Sequence, residues 1–542
     1  MSRTSLKALN VVVSLPIDPY CTRKSYDESE PVPVIETRSV GREGEIPARE
    51  LRSDVAHSVE NAATLGLSLV LTWAVALGVR ILLPRYFGPA AFGVFQFADA
   101  FTATLFILTS LGLETYVRKE IATRPEHANS FFGGILVVRL AFSALLLVGA
   151  VLALEAGGKS PDVLKLVVLL GLAQVLMNLN GTYAAMLHAA AVVGGLSVLN
   201  VVTKVAWGAG VVLVFFLHGG LQAVAVALLL SEALRTFGLA RIARKELRLR
   251  ISVDMRGAME VIVAALPFYL AQIAQTAYGK IDISILSFIT NDVEVGWYGA
   301  AANLAGLSML LSPLIGWVLL PLTSRALARS QEELTLVTRR AMELILITAI
   351  PVTLFLALGA DVVVNVVFGA AFAPAARSLR LLAPMFVLTY AAIVSASILV
   401  RLERGWAVTF ISISGMIVTP ILDFLLIPRC LAAFGPGGGG IGAAIALLIT
   451  EIYTTVLLTR LLGDRAFDRR SIVVLYKTIA ICAIVVLLHY TLAAFGGWRL
   501  LADGALYIFL VFAWKAADLR ALKSLFLTAV RRKKPPLAVD VA

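Results

Sequence analysis

The sequence predicts an all-α, polytopic membrane protein of about 14 transmembrane helices: two six-helix lobes related by an internal repeat, plus a C-terminal helix pair. The 542-residue chain is 59% hydrophobic and only 15% charged, and its mean hydropathy is +0.88. A soluble chain of this length could not bury so much apolar surface. Apolar runs of roughly 20 residues, the length that crosses hydrocarbon as a helix, recur along nearly the whole sequence. A third observation, the internal repeat, divides these runs into two sets.

The repeat is visible in two places within the apolar runs. The segment AVALLLSE from Ala225 returns as AIALLITE from Ala444, and FGVF from Phe92 returns as VGWY from Val295. A period of about 200 residues indicates duplicated architecture. Duplicated halves related by an axis along the membrane normal are a common plan for transporters, with the substrate held between the halves. The repeat therefore favours a transport function.

Fourteen apolar runs mark the helices in order, and the basic residues between them indicate the orientation. The approximate limits of the runs are 60–83, 93–114, 133–154, 163–186, 192–217, 221–240, 260–289, 295–320, 341–360, 379–400, 406–427, 440–459, 472–493 and 499–518. With the N-terminus inside, most Arg and Lys residues fall in inner connections, so the positive-inside rule predicts that both termini are cytoplasmic. This bias also accounts for the net charge of +12, and nucleic-acid binding is not indicated.

The runs and their linkers divide the chain into six predicted segments. Residues 1–58 are polar and contain several prolines, which predicts a disordered cytoplasmic tail, although a wrongly chosen start codon would give the same pattern. The predicted segments are this tail at 1–58, an N-lobe at 59–240, a basic cytoplasmic linker at 241–258, a C-lobe at 259–460, an extra helix pair at 461–518 and a basic cytoplasmic tail at 519–542. The last tail is expected to rest on anionic lipid of the inner leaflet.

Several short motifs resemble those of a known family. The stretch RILLPRYFGPAAFG from Arg80 resembles the opening of bacterial polysaccharide flippases, and so do, in order, LPF from Leu266, KID from Lys280, VGWYGAA from Val295 and GIGAA from Gly440. These flippases are the O-antigen, or Wzx-type, members of the multidrug/oligosaccharidyl-lipid/polysaccharide exporter superfamily. The resemblance covers about residues 58–459. The long polar N-terminus departs from the family, and the extra helix pair is more similar to the lipid II flippases.

The resemblance implies a function and a cavity. Members of this kind flip a polyprenyl-pyrophosphate-linked oligosaccharide across the cytoplasmic membrane by alternating access, for surface polysaccharide biosynthesis. The implied partners are the lipid-linked glycan and membrane lipids, with glycan polymerase or export machinery as further candidates. The implied location is the inner (cytoplasmic) membrane, and the helices that carry Arg80, Asp99, Lys280 and Asp282 are expected around the central cavity.

Charged residues at membrane depth are costly, so they usually face a cavity or one another. The candidate substrate-binding residues are Lys204, Arg80, Arg139 and Lys280, and the candidates for ion coupling are Asp99, Asp282 and Glu232. Lys204 lies in mid-span, where its side chain reaches neither surface well, whereas Arg80 and Arg139 can also snorkel to an interface. Opposite charges can pair while the site is empty and exchange partners when an anionic substrate arrives.

Other charged residues and prolines have two readings each. Glu232 lies one turn from Arg235, so a salt-bridged helix end is the alternative to proton or sodium coupling. Asp423 falls near an outer helix end, where contact with water is expected. Pro267 is a candidate hinge in the seventh span, and a static bend is the alternative.

Enzymatic chemistry is not indicated. The three cysteines are scattered without CxxC spacing, and no metal cluster, Walker motif or nucleophile with a placed base is found, so no catalytic residue, cofactor or metal site is predicted. The glycine run 435–440 lacks the Lys-Ser/Thr of a phosphate-binding loop and is interpreted as a flexible outer connection. Two rival functions remain: a multidrug or organic-cation antiporter of the same superfamily, expected to have a carboxylate-dominated pocket, and a membrane-embedded glycan polymerase or ligase, expected to have a large outer loop.

Overall fold

The computed structural model confirms an all-α, polytopic membrane protein. The structure describes residues 48–113, 117, 128–190, 192, 194–247, 253–307 and 312–514, and none of these residues is in a β-strand. Contacts divide the chain into two compact units, Met1–Glu60 and Asn61–Ala542. The first unit is described only from residue 48 onward, as the beginning of helix α1. All contacts reported below lie within the second unit.

Seventeen α-helices account for nearly all of the described residues. In chain order they are α1 (Ala48–Phe106), α2 (Ala128–Ala156), α3 (Pro161–Ala189), α4 (Gly194–Phe216), α5 (Leu221–Glu246), α6 (Met255–Tyr278), α7 (Ile281–Ile289), α8 (Asp292–Ala305), α9 (Ser312–Arg329), α10 (Gln331–Leu358), α11 (Ala360–Phe368), α12 (Ala375–Leu382), α13 (Met385–Arg401), α14 (Gly405–Phe434), α15 (Gly438–Leu462), α16 (Arg469–Thr491) and α17 (Arg499–Ala513). Helix is found within each of the fourteen predicted spans. Among the described residues, 11 helical stretches are long and apolar enough to cross a membrane. The count of fourteen crossings and the six segment boundaries stay predictions.

The helices contain breaks that the apolar runs do not reveal. Helix α1 contains two predicted spans and leaves helical geometry at Gly88, where φ is 75° and ψ is 176°. A positive φ of this size favours glycine, and Pro89 then restarts the helix. The seventh predicted span is interrupted between α6 and α7, and Lys280 lies at this interruption.

The two lobes repeat the same helix packing. Helix α5 packs against α3 and α4, and helix α15 packs against the corresponding helices α13 and α14. Large apolar side chains on the outside remain uncovered: Phe216 is 77% exposed and Phe237 is 68% exposed. Exposed apolar surface of this extent is expected where lipid is the solvent.

The glycine run 435–440 is not the flexible connection that the sequence suggested. Gly438 begins helix α15, and a Cβ added there would lie 2.4 Å from the carbonyl oxygen of Cys430 on α14, so glycine allows the two helices to pack closely. The carboxylate of Glu294, which is 2% exposed, accepts hydrogen bonds from the backbone N–H groups of Gly437 and Gly440. The run is therefore a packed backbone site that binds the Glu294 carboxylate.

The extra helix pair packs as a hairpin against the C-lobe. Helices α16 and α17 contact each other, and both contact α10. A small apolar core of Ile481, Val485, Tyr507 and Val511 lies between them. That this pair lies outside the repeat stays a prediction from the positions of the repeated segments.

Candidate functional site

The two lobes touch through the segments that the internal repeat relates. A Cβ added at Gly93, on the second half of α1, would lie 1.7 Å from the carbonyl oxygen of Asp292 at the start of α8. A Cβ added at Gly296, on α8, would lie 2.0 Å from the carbonyl oxygen of Pro89. Because only glycine permits such an approach, and because Gly93 and Gly296 are equivalent in FGVF and VGWY, the contact is reciprocal. We refer to it as the glycine contact.

Polar and aromatic side chains extend the glycine contact. Gln96 is 6% exposed and donates a hydrogen bond from Nε2 to the carbonyl oxygen of Gly299, at 3.2 Å. Phe92 packs edge-on against Phe372, with 6.1 Å between the ring centroids. These residues lie at the end of the molecule that carries the connections at 157–160 and 290–291, which is the predicted outer end. The lobes are therefore closed against each other at that end in this structure.

Lys159 joins the lobes at the same end. It lies in the connection between α2 and α3, and its Nζ donates to the backbone oxygen and to Oγ of Ser287 on α7, each at 3.0 Å. The Nζ also lies 4.7 Å from the ring centroid of Phe97 and 5.3 Å from that of Phe288. Partial burial lowers the pKa of Lys159, and the carboxylate of Asp292 opposes this shift. This contact was not predictable from the sequence, because a lysine in a short loop resembles a solvated residue.

Two of the predicted site residues, Lys280 and Asp99, form an ion pair between the lobes. Lys280 Nζ and Asp99 Oδ2 are 2.8 Å apart, and the side chains are 38% and 30% exposed. Lys280 lies at the break before α7, and Asp99 lies on the second half of α1. Because both side chains stay partly exposed, a charged ligand that reaches the pair can exchange with either partner.

Two carboxylates are buried close together in the C-lobe. Asp282 on α7 is 1% exposed and accepts hydrogen bonds from the Tyr298 hydroxyl and, at 2.8 Å, from the backbone N–H of Ile283. Asp423 on α14 is 0% exposed, its two oxygens have no hydrogen-bond partner among the described residues, and the charge of Asp282 acts on it. The expectation that Asp423 meets water is wrong, because α14 and α7 pack together around it. Among the described residues, no group of three or more His, Cys, Asp or Glu residues could hold a metal ion.

The corresponding place in the N-lobe is rich in cations. Lys204 on α4 lies with its Nζ 5.2 Å from the ring centroid of Trp207, and the charges of Glu232, Arg235 and Arg80 all act on it. Glu232 is 3% exposed, and its Oε2 lies 3.6 Å from Arg235 Nη1. Arg235 Nε and Trp207 Nε1 are buried and have no hydrogen-bond partner among the described residues. The place thus combines Lys204 and Arg235 with one carboxylate and buried N–H groups, while Arg80 is exposed and acts on Lys204 through its charge.

The helix bearing Glu232 is held by a polar contact that has a counterpart in the other lobe. Asn180 on α3 donates from Nδ2 to Glu232 Oε2, at 2.9 Å. In the C-lobe, Thr389 on α13 donates from Oγ1 to Oε1 of Glu451, at 3.0 Å. Both readings of Glu232 are compatible with this geometry, because its carboxylate is paired with Arg235 and is also buried beside Lys204.

Lys204 and Asp423 occupy equivalent positions in the repeat. The offset of 219 residues that carries Ala225 onto Ala444 also carries Lys204 onto Asp423. The two residues lie on corresponding helices, α4 and α14, each of which packs against the repeated segment. The duplication therefore has a cation at this position in one lobe and a carboxylate in the other. This correspondence was present in the sequence and could have identified Asp423 as an interior residue.

Arg139 and Pro267 lie elsewhere. Arg139 on α2 is 4% exposed and donates to the carbonyl oxygens of Ser110 and Asn178 and to Oγ1 of Thr182. Its described contacts therefore join α2 to α3 and to the turn that follows α1. Pro267 falls inside α6, but the surroundings of its side chain lie outside the described residues. The predicted substrate-binding role of Arg139 and the hinge role of Pro267 stay predictions.

Comparisons with known proteins agree with this architecture. Residues 58–327 match the family model described as polysaccharide biosynthesis protein. The chain is 22% identical, over 69% of its own length and 76% of the relative's, to the probable low-salt glycan biosynthesis flippase Agl15 of Haloferax volcanii. Among solved structures, it is similar in fold to the lipid II flippase MurJ in an inward closed conformation, with a TM-score of 0.64, 12% identity and coverage of 87% of this chain and 99% of that one. A multidrug resistance MATE family transporter of the MOP superfamily, in an inward-facing conformation, gives a TM-score of 0.53 and 16% identity, with coverage of 72% and 98%.

Proposed function

Because the chain belongs to the polysaccharide flippase family of the multidrug/oligosaccharidyl-lipid/polysaccharide exporter superfamily and is a transporter, not an enzyme, we propose that it flips a polyprenyl-pyrophosphate-linked oligosaccharide across the cytoplasmic membrane by alternating access. Its membrane is the inner membrane, with both termini in the cytoplasm. The glycan would serve surface polysaccharide biosynthesis, and a glycan polymerase or export complex would receive the product.

One observation carries this proposal: the opposite charges at equivalent positions of the two lobes. Lys204 in the N-lobe and Asp423 in the C-lobe are related by the repeat. Charged residues at membrane depth are retained where they bind a charged ligand or each other. Opposite charges at equivalent positions support different ligands for the two lobes: the N-lobe binds an anionic substrate, and the C-lobe binds a coupling cation.

The N-lobe cluster has the chemistry that a pyrophosphate requires. Lys204, Arg80 and Arg235 outnumber Glu232, so the cluster keeps positive charge to offer an anion. The unpartnered N–H groups of Arg235 and Trp207 are further donors. Hydrogen bonds from cations to phosphate oxygens are about twice as strong as neutral ones, and Arg can bind phosphate in a bidentate geometry. Lys280 would also bind the pyrophosphate once Asp99 is displaced from it.

The C-lobe carboxylates have the chemistry of a coupling site. Asp282 and Asp423 are both buried, and Asp423 has two oxygens without a described partner. Because the charge of Asp282 acts on Asp423 and a buried unpaired charge is costly, the two carboxylates would bind a proton or a small cation. One elementary charge moved through 100 mV supplies about 2.3 kcal/mol, which is enough to bias the exchange between two access states. A cation that enters from the outside and binds these carboxylates would favour the return of the empty transporter to the state that is open to the cytoplasm.

The glycine contact and Lys159 supply the outer gate in this scheme. They hold the two lobes together at the predicted outer end, so substrate would enter from the cytoplasmic side in the state that the structure represents. Separation of α1 from α8 would then open a path to the outer leaflet. The Lys280–Asp99 pair lies on the same two lobes, and a charged substrate that breaks this pair would loosen the same interface.

The second candidate function is an organic-cation antiporter. The observation that favours it is the buried pair of Asp282 and Asp423 beside the Tyr298 hydroxyl, a carboxylate-dominated site of the kind that such an antiporter requires. The two functions differ in the lobe that contacts the substrate. Loss of Lys204 should impair a glycan flippase and leave a cation antiporter largely active, whereas loss of Asp423 should remove direct substrate binding only in the antiporter.

Complementation of a flippase-deleted strain tests the proposal. Cells that express the protein should restore surface glycan and stop accumulating the lipid-linked precursor in the inner leaflet, and Lys204→Ala should do so poorly at equal membrane abundance. Lys165→Ala is the matched control, because Lys165 is an exposed lysine of the same lobe. Efflux of an organic cation, together with no lipid-linked glycan whose sidedness depends on the protein, would overturn the proposal in favour of the antiporter.

A further inference from the structure

We propose that the extra helix pair binds one phospholipid whose zwitterionic headgroup carries a primary ammonium, as in phosphatidylethanolamine. The site lies at the predicted outer end of α16 and α17, where they face α10. It is separate from the charge clusters of the two lobes. Three features support it: a cleft, buried polar atoms that have no hydrogen-bond partner among the described residues, and exposed aromatic residues near the predicted headgroup level.

The cleft is small and mostly apolar, with a volume of about 40 Å³, which is room for a small polar group such as an ammonium. Leu354 and Phe355 of α10 and Val485 of α16 form its walls, and Asp503 and Tyr507 of α17 lie on the remaining side. Asp503 and Tyr507 are four residues apart on one helix, so both side chains lie on the same face. Apolar walls with two polar groups on one side match a lipid in which a headgroup joins an acyl chain.

The polar groups of the cleft have unused bonding capacity. Asp503 is 5% exposed, and its Oδ2 lies 2.6 Å from Nδ1 of His489, which is 3% exposed. The other carboxylate oxygen, Oδ1, has no hydrogen-bond partner among the described residues, and neither has the hydroxyl of Tyr507, which is 4% exposed. Buried polar atoms are rarely left unpaired in folded proteins. A ligand that donates hydrogen bonds to Asp503 and Tyr507 would pair them.

A cation lies one turn away on the same helix. Arg499 precedes Asp503 by four residues, and its Nε is buried with no hydrogen-bond partner among the described residues. No ion pair joins Arg499 to Asp503 within the described part of the chain. Side chains with this spacing are about 5–6 Å apart at Cβ, a separation that an ethanolamine phosphate can bridge. The phosphate would accept from Arg499, and the ammonium would donate to Asp503.

Aromatic residues place this site at the level of the lipid headgroups. Tyr490, Phe495 and Trp498, in or beside the connection between α16 and α17, are 70%, 64% and 78% exposed. Amphipathic aromatic residues collect at the interface between hydrocarbon and water. A headgroup at this depth can reach Arg499 and Asp503 while its acyl chain lies along the outside of the cleft, against the exposed ring of Phe355.

The chemistry distinguishes among headgroups. A phosphatidylglycerol headgroup has the phosphate and neutral hydroxyls but no ammonium, so Oδ1 of Asp503 would receive only a neutral hydrogen bond, and the headgroup would add a negative charge. A phosphatidylcholine headgroup has a quaternary ammonium without N–H groups, so it cannot donate to Asp503. A headgroup with a phosphate and a primary ammonium can pair with both Arg499 and Asp503. A charge-assisted hydrogen bond corresponds to about a tenfold or greater difference in affinity.

Native mass spectrometry of the full chain, released from detergent with each lipid in turn, tests the proposal. We expect phosphatidylethanolamine to be retained at about tenfold lower concentration than phosphatidylglycerol or phosphatidylcholine of the same acyl chains. Asp503→Asn should remove this preference, and Arg499→Gln should weaken retention of all three lipids. Arg429→Gln is the control, because Arg429 is an exposed arginine near the same end of α14.

A second variant tests the cleft without touching a charge. A Cβ added at Gly504 meets no atom within 4 Å, so Gly504→Leu should fold and fill the cleft, and it should abolish lipid retention. Equal retention of the three lipids by the wild-type chain would overturn the proposal. Full retention by Gly504→Leu would overturn it as well, whether or not Asp503→Asn folds. No glycan takes part in this assay, so its failure is independent of the proposed transport function.

Discussion

Replacement of Gly93 by alanine perturbs the contact that we assign to the outer gate. The added Cβ would lie 1.7 Å from the carbonyl oxygen of Asp292, whereas an ordinary contact is 3.4–4 Å. The backbones of α1 and α8 must therefore move apart by about 2 Å, since interiors are close-packed and cannot absorb the overlap. Overpacking of this kind costs about 1–3 kcal/mol. If the cost falls on the closed state alone, the ratio of open to closed molecules rises about 5- to 140-fold.

Double electron–electron resonance measures this opening directly. Nitroxide labels at Ser160, at the start of α3, and at Phe434, at the end of α14, would report the distance between the lobes at the predicted outer end, after the three native cysteines are replaced. Both positions are exposed. We expect one short distance for the otherwise unchanged protein in liposomes, and a second, longer distance in Gly93→Ala.

Gly78→Ala is the matched control. Gly78 lies on the same helix, and a Cβ added there meets nothing within 4 Å. Both substitutions stabilise the helix by about 1 kcal/mol, because alanine has a higher helix propensity than glycine. A difference between the two variants therefore reports the clash alone. Gly296→Ala should repeat the result of Gly93→Ala from the other lobe. A folded Gly93→Ala protein whose distances match those of Gly78→Ala would refute the gate.

Four further substitutions test separate parts of the scheme. Lys204→Ala should weaken substrate engagement about tenfold or more while Lys204→Arg stays partly active, measured as surface glycan at equal expression; wild-type export by Lys204→Ala would exclude the role. Asp423→Asn should remove the dependence of transport on a sodium or proton gradient in proteoliposomes, and a retained dependence would contradict the coupling site. Glu294→Gln should cost about 1–3 kcal/mol of stability, visible as a lower Tm; an unchanged Tm would show that the glycine-rich backbone does not need this carboxylate. Pro267→Ala should change the labelling of a cysteine placed near Lys280 from one side of the membrane only, and unchanged labelling and transport would make this proline a static bend.

The helices were predictable because their signal is local. A run of about 20 apolar residues has one stable conformation in hydrocarbon, and helix is found within every such run. The breaks were not predictable in the same way. Gly88 and Lys280 interrupt helices inside or between apolar runs. Hydropathy measures only how apolar a residue is, so it does not predict a positive φ or a helix that ends beside a charged residue.

The candidate site was predicted as a set of residue types, and the structure supplied their partners. Lys280 and Asp99 were both chosen from their depth, but the ion pair between them depends on the contact of two lobes that lie about 180 residues apart in sequence. The prediction for Asp423 was wrong because it considered only the distance of Asp423 from the end of its own helix, α14. Its burial depends on the packing of α14 against a different helix, α7.

The structural roles of the glycines were the hardest feature to predict from the sequence. The run 435–440 looked flexible because glycine is flexible in an unfolded chain. In the structure, Gly438 and the FGVF–VGWY pair, Gly93 and Gly296, all lie where two backbones approach too closely for a side chain. Composition alone cannot distinguish these two uses of glycine, but a glycine at equivalent positions of a repeat favours the second.

Flipping of a defined lipid tests the central claim most directly. The purified protein would be reconstituted into liposomes with a fluorescent polyprenyl-pyrophosphate oligosaccharide, and an impermeant quencher or glycosidase would report the fraction of the glycan on each side over time. We predict protein-dependent exchange between the leaflets that slows about tenfold or more in Lys204→Ala and is unchanged in Lys165→Ala. Exchange that is no faster than in protein-free liposomes, while the same liposomes accumulate an organic cation, would contradict the account.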